Sequence, residues 1–117
     1  MIKLQIQKRD VPITALLRRH LERRLGFVLG RFSERIGRVT VRFSTAHGPL
    51  NGAGKRCQIA VGLRPRTVRV EDTDADPFAA VDNASQRLSR SIAHLLEMED
   101  GRHQAVTIAP ATNKRKK

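Results

Sequence analysis

The sequence predicts an α+β domain, a two-layer β-α-β-β-β-α sandwich in which a four-stranded sheet carries two helices on one face. Three observations predict it. Four segments alternate apolar with polar side chains, two longer segments repeat apolar residues every three or four positions, and the order is strand, helix, three strands, helix. Each strand then owns one apolar face and each helix one apolar stripe, and laying the helices on the sheet buries all of them together. At 117 residues the chain supports one such core and not two.

Taken in order, Ile2, Leu4 and Ile6 alternate with Lys3, Gln5 and Gln7, which makes residues 2–7 a strand with one buried face. After the polar segment KRDVP, Thr14 is the N-cap of a helix whose inward stripe is Leu17, Leu21, Leu25, Val28 and Phe32. It is expected to end near residues 31–34. Gly26 and Gly30 each cost a helix interior about 1 kcal/mol relative to Ala, so they mark a frayed or kinked last turn. Val39, Val41 and Phe43, set between Arg38, Thr40, Arg42 and Ser44, give a second strand. A Gly-rich connection leads to the third, residues 55–63, with Cys57, Ile59, Val61 and Leu63 on one face. Pro65 cannot donate to a strand ladder, so Leu63 to Arg66 reads as a turn, and Val68 and Val70 carry the fourth strand. Asp76 is an N-cap and Pro77 suits the first helical position. The second helix then turns Phe78, Val81, Ser85, Leu88, Ile92, Leu95 and Leu96 inward. The crossover through the first helix lets strands one and two run parallel with a right-handed connection. Past residue 98 the apolar period weakens. The domain is therefore set at 1–98, and 99–117 reads as a basic C-terminal tail, mobile on its own.

Charge narrows the function. Lys and Arg number 23 against 11 acidic residues, a net charge of +12 and a pI near 11.5, which points to a polyanionic partner, most simply nucleic acid. The imbalance is concentrated: residues 1–70 hold 16 basic and 3 acidic side chains, residues 71–112 hold 3 and 8, and the last five residues add four cations. No run of about 18 apolar residues is present to span a bilayer, and the N-terminus lacks the apolar stretch of a signal peptide. The first helix needs its apolar stripe for the core, which argues against a membrane-surface role. The lone Cys57 allows no internal disulfide and suits a reducing compartment, so the expected location is cytoplasmic.

The motifs that suggest catalysis or cofactors fail on spacing. In GPLNGAGKR a phosphate loop starting at Gly48 needs Gly at 53 and Lys at 54, where Ala53 and Gly54 stand, and Arg56 after Lys55 cannot ligate magnesium. A strand, not a helix, follows. An enzyme of small-molecule phosphates built on this loop is the rival from another class, and no small-molecule substrate is expected. In EDTDAD, Asp72, Asp74 and Asp76 match the first three ligands of a calcium loop, but Pro77 replaces the Gly at position six and Asn83 the Glu at position twelve. These carboxylates are expected to complement a helix N-terminus instead. His20, His47, His94 and His103 have neither metal-ligand spacing nor a Cys partner and are expected to be solvated or RNA-facing. Cys57 is expected to be a small buried hydrophobe, and no serine sits in a nucleophile elbow. The reading is no catalytic residue, no metal and no cofactor.

The arginines sort by helical geometry. At about 100° per residue, Arg19 and Arg23 lie almost opposite the apolar stripe of the first helix, with Arg24 and Arg31 on one flank and Arg18 beside them. Arg87 and Arg90 take the outward position on the second helix, with Asn83 and His94 nearby. With both helices on one side of the sheet, these side chains form one surface, and guanidinium forks match phosphate oxygens. Only Glu22 accompanies Arg18, Arg19, Arg23 and Arg24 on their helix, so most lack acidic i,i+4 partners. Three of the four aromatics, Phe32, Phe43 and Phe78, lie on apolar stripes, with Phe27 the fourth; structured RNA read by shape fits better than a stacked single strand.

The chain resembles the ribosome hibernation-promoting factor and ribosome-associated inhibitor family, also described as sigma-54 modulation proteins, in its short form. The likeness rests on IKLQIQKRDVPITALLRRHLERRLGFVLGRFSERIGRVTVRFS, residues 2–44, and VEDTDADPFAAVDNASQRLSRSI, residues 70–92, in that order and spacing, and covers about residues 1–98. The resemblance implies a domain shaped like a double-stranded RNA-binding domain. It implies a non-catalytic protein that occupies the mRNA and tRNA channel of the small ribosomal subunit, contacts its rRNA and inhibits translation during stress or stationary phase. By position, Arg19, Arg23, Arg87 and Arg90 carry the contacts. The family usually continues its second helix with a dense basic cluster, where this chain has Ala93, His94, Leu95, Leu96 and Glu97. The dimerisation domain of longer members has no counterpart here, so ribosome dimers are not expected from this chain alone. The alternative is a general structured-RNA-binding module without ribosome preference.

Overall fold

A computed structural model describes residues 4–9, 11–46 and 54–104, and for Arg9 and residues 100–104 the backbone alone. The elements are β1 (Leu4–Arg9), α1 (Ala15–Leu29), a 3-10 turn (Gly30–Phe32), β2 (Ile36–Ala46), β3 (Gly54–Leu63), β4 (Arg66–Asp74) and α2 (Pro77–Gln104). The four strands form one mixed sheet in the order β1-β2-β3-β4. β1 and β2 are parallel, as the helical crossover requires, with Leu4 beside Val39 and Ile6 beside Val41. β2, β3 and β4 continue antiparallel, placing Phe43 opposite Cys57 and Ile59 opposite Val70.

Because side chains alternate across a strand, this register puts one apolar row per strand on the same face. Val39, Val41, Phe43, Cys57, Ile59, Val61 and Leu63 are buried there, together with Leu17, Leu21, Leu25 and Leu29 of α1 and Ala80, Val81, Ala84, Leu88 and Ile92 of α2. Both helices thus share one face, as the periodicity predicts. α2 lies over β3 and β4 and alongside α1.

The caps fall where the sequence puts them. Thr14 Oγ1 accepts from Leu17 N at 3.1 Å and opens α1. Asp76 Oδ1 accepts from Phe78 N at 2.9 Å and opens α2 directly before Pro77. Gly26 remains inside α1, whereas at Gly30 the helix tightens into the 3-10 turn. The fully buried stripe of α1 ends on Leu29, while Val28 and Phe32, expected in that stripe, pack against the core only partly buried.

The expected boundary at residue 98 is crossed by α2, which runs to Gln104. One turn before that end, Arg35 donates from Nη1 and Nη2 to the two Glu99 oxygens at 3.2 Å each, and from Nη2 to the Arg64 carbonyl at 2.7 Å. This fork ties α2 to the start of β2 and to the β3–β4 turn, so tertiary anchoring extends the helix where apolar periodicity has faded. Residues 1–3, the Gly-rich connection at 47–53 and residues 105–117 lie outside the described residues. Among the described residues no helix is long and apolar enough to cross a membrane.

Candidate nucleic-acid interface

Burial of Leu17, Leu21, Leu25 and Leu29 turns the opposite side of α1 to solvent. Arg18, Arg19, Glu22, Arg23 and Phe27 are exposed there. Arg19 and Arg23 have no partner among the described residues. Arg18 reaches Glu22 at 3.3 Å, but both side chains are half exposed, and water and salt screen such a pair heavily. Arg31, just past the helix, lies over the Phe32 ring at 5.4 Å and remains exposed.

Arg24 departs from the outward set. Its Nε lies 3.4 Å from Asp82 Oδ1 of α2, and the side chain is two-thirds buried. The same carboxylate oxygen accepts from His20 Nε2 at 2.7 Å, and the His20 ring sits 5.3 Å from the Phe78 ring. His20, expected to be solvated or RNA-facing, is instead part of the joint between the helices. Helical angle alone places both residues on a flank; which neighbour fills that flank is decided by Asp82, 62 positions from His20.

On α2, Arg90 and His94 are exposed and without partners among the described residues. Arg87 is engaged: its Nε donates to Asp72 Oδ2 at 2.8 Å, and Asn83 Nδ2 lies 3.5 Å from the other oxygen. Asp72 sits on the helix-facing side of β4 and is mostly buried, so it holds Arg87 over the edge of the sheet while leaving the guanidinium's remaining donors available. Arg87, Arg90, Ser91 and His94 line a cleft of about 670 Å³ together with Arg69 and Glu71 of β4.

The acidic run is used locally, as its place before a helix suggests. Asp74 Oδ1 accepts from Asp76 N, Asp76 caps α2, Asp72 holds Arg87, and Glu71 accepts from Gln58 Nε2 at 3.2 Å. The Gly-rich segment leads straight into β3, with Lys55 paired opposite Asp74 and Arg56 opposite Thr73, so the residues after the glycines are extended and not helical. Cys57 is fully buried, and burial, with the Asp72 carboxylate second, pushes its thiol from 9.0 up to about 12, which keeps it protonated and unreactive.

A second basic surface escaped the helix-centred reading. The alternation that turns Val39, Val41, Cys57, Ile59 and Val70 inward turns Arg38, Arg42, Arg56 and Arg69 to the open face of the sheet. Arg42 donates from Nε and Nη2 to Gln7 Oε1 at 3.2 Å each, and Arg56 keeps a buried Nε without a hydrogen-bond partner. The signal lay in the same period-two pattern that located the core.

Residues 4–98 match the family model described as Sigma 54 modulation protein / S30EA ribosomal protein. The ribosome-binding factor PSRP1, chloroplastic, of Spinacia oleracea is 25% identical over 107 residues, which cover 87% of this chain and 35% of that protein. The chain thus spans about a third of the length of this curated relative. Among solved structures, the Thermus thermophilus Protein Y N-terminal domain superposes with a TM-score of 0.67 at 30% identity, covering 81% of this chain and 99% of that one. A ribosomal subunit interface protein from Coxiella burnetii gives 0.68 at 19% identity over 82% of this chain and 99% of its own, a likeness of fold alone.

Proposed function

The chain belongs to the Sigma 54 modulation protein / S30EA ribosomal protein family, and on that premise we propose that it is a non-catalytic ribosome-associated factor of the hibernation type. It occupies the mRNA and tRNA channel of the small subunit in the cytoplasm, binds the rRNA there and inhibits translation during stress or stationary phase.

The observation that carries this reading is the unpaired positive charge on one side of the domain. Arg19 and Arg23 of α1 and Arg90 of α2 point outward with no partner among the described residues, beside Arg31, Arg18, Arg87 and His94. Arg19 and Arg23, four positions apart on one helix face, repel one another in the free protein and gain most when phosphates arrive. Arg24 stands behind this surface as a brace between the helices. The mechanism is occupancy: arginine forks neutralise phosphates and supply affinity, and the bulk of the sandwich excludes the molecules that otherwise use the channel. No bond is made or broken. The relative's name, a ribosome-binding factor, supports the partner.

The test is co-sedimentation with purified bacterial small subunits through sucrose at 50 and 200 mM salt, beside a variant carrying Ala at Arg19, Arg23, Arg87 and Arg90. The wild type is expected to travel with subunits at low salt and the variant to remain at the top. A wild type that stays at the top at both salts defeats the ribosome reading.

A further inference from the structure

We infer that Phe27 is a nucleobase-stacking residue set into the basic face of α1, so that the domain holds one unpaired base of its RNA as well as phosphates. This rests on the reading of that face as an RNA surface, not on the ribosome as its source.

Phe27 is 87% exposed, the most exposed large hydrophobic residue among those described. Leu25 and Leu29, two positions to either side, are buried, so Phe27 lies on the side of α1 that faces away from the core. Arg23 stands one turn before it and Arg31 about one turn after, both exposed. The adjoining Gly26 and the following Gly30 bring no side chain, and the space where a Cβ would stand is open at both. The ring therefore projects clear of its helix with a flat face accessible, with exposed Arg23 one turn before it and Arg31, whose guanidinium lies over Phe32, about one turn after.

The chemistry of that setting selects the occupant. An apolar protein pocket would cover Phe27 only by desolvating the neighbouring arginines, which costs more than one ring returns unless acidic partners come with it. It would also find no apolar patch, since Leu16, the other exposed hydrophobic on α1, lies about 16 Å away at 1.5 Å per residue. RNA satisfies both needs at once: phosphates flank a base, and a base offers a π face. A bulged or looped-out nucleotide on structured RNA meets this geometry, whereas a continuous duplex hides its bases in the stack. The other three Phe residues, buried or partly buried, provide no platform for a longer single strand.

The chain contains no Trp and no Tyr, so Phe27→Trp is a sole fluorescent reporter at the site. The probes are an RNA hairpin with a single bulged adenine, the same hairpin fully paired, and purified small subunits. The bulged hairpin is expected to quench the introduced indole and to bind more tightly than the paired one. Phe27→Ala is expected to weaken binding about 5- to 150-fold at unchanged salt slope, while Arg23→Ala lowers that slope by about one. Phe27→Leu keeps an apolar side chain without the π face and is expected to bind as weakly as Ala. Equal quenching and affinity on both hairpins overturn the proposal, and a Leu variant that binds like the wild type assigns Phe27 to a protein pocket. Quenching by the bulged hairpin without association with subunits leaves stacking standing and defeats the ribosome reading. Subunit binding unaffected by Phe27→Ala does the reverse. The exposure of Phe27 makes all three variants neutral for folding, which a thermal melt verifies.

Discussion

The arginines of α1 divide into two kinds, and salt separates them. Arg19 and Arg23 are exposed and unpartnered among the described residues, whereas Arg24 is two-thirds buried against Asp82. Each phosphate neutralised contributes about −0.9 to the slope of log affinity against log salt, by analogy with duplex DNA. Over a fourfold rise from 50 to 200 mM salt, one contact therefore accounts for about a 3.5-fold fall, and four contacts, at Arg19, Arg23, Arg87 and Arg90, for about 150-fold. Arg19→Ala and Arg23→Ala together are expected to flatten the slope by about 1.8 and leave the melting temperature within a degree or so. Arg24→Ala is expected to do the opposite: an unchanged slope and a lower melting temperature, because it removes half of the charge joint between the helices. Filter binding or sedimentation across a salt series, with a thermal melt of each variant, reads both quantities. An Arg24 variant that flattens the slope as much as Arg19→Ala would refute the division, and so would a double variant with the wild-type slope.

Two further outcomes are expected from the interior. The buried Cys57 thiol, pushed from 9.0 up to about 12, holds its proton in the folded state after the unfolded chain has released it. Stability is therefore intact below pH 9 and lost as pH rises toward 12, by up to about 4 kcal/mol for this group. Urea midpoints at about pH 8 and pH 11 are expected to differ less in Cys57→Ala than in the wild type, and with no Tyr in the chain the background comes from the lysines and the α-amino group. Asp82→Ala removes the hydrogen-bond acceptor of His20 Nε2 and the carboxylate charge 3.4 Å from Arg24 Nε, a buried nitrogen with no hydrogen bond of its own, and leaves both partly buried groups uncompensated. A loss of about 1–2 kcal/mol is expected, seen as a melting temperature lower by several degrees, with the salt slope of RNA binding unchanged.

The backbone plan was legible because each element carries its own period: Ile59 and Val61 on β3, Leu17 and Leu21 on α1, and the caps Thr14 and Asp76 all identify themselves from neighbours in sequence. The outward position of Arg19, Arg23 and Arg90 was legible for the same reason. What local pattern does not contain is the identity of a neighbour across space. His20 with Asp82, Arg87 with Asp72 and Arg35 with Glu99 are pairings between elements, separated by 62, 15 and 64 positions. They decide which cations remain available and how far α2 extends, and a helical wheel assigns them only an angle. The arginines on the open sheet face were legible but attract no notice while attention rests on the helices.

The order of strands in the sheet has a consequence for how the chain is built. Since β1, β2, β3 and β4 lie side by side in the order of synthesis, each strand emerging from a translating ribosome finds its template edge already present. The lid comes last. Until α2 delivers Ala80, Val81, Ala84, Leu88 and Ile92, the apolar row of Cys57, Ile59, Val61 and Leu63 stays open to water. The nascent domain is consequently a half-covered, sticky sheet up to its final helix, the stage at which aggregation competes with folding. A domain whose finished outer surface is basic and proposed to meet RNA thus passes through a state governed by the opposite preference, and the arrival of one helix converts one into the other.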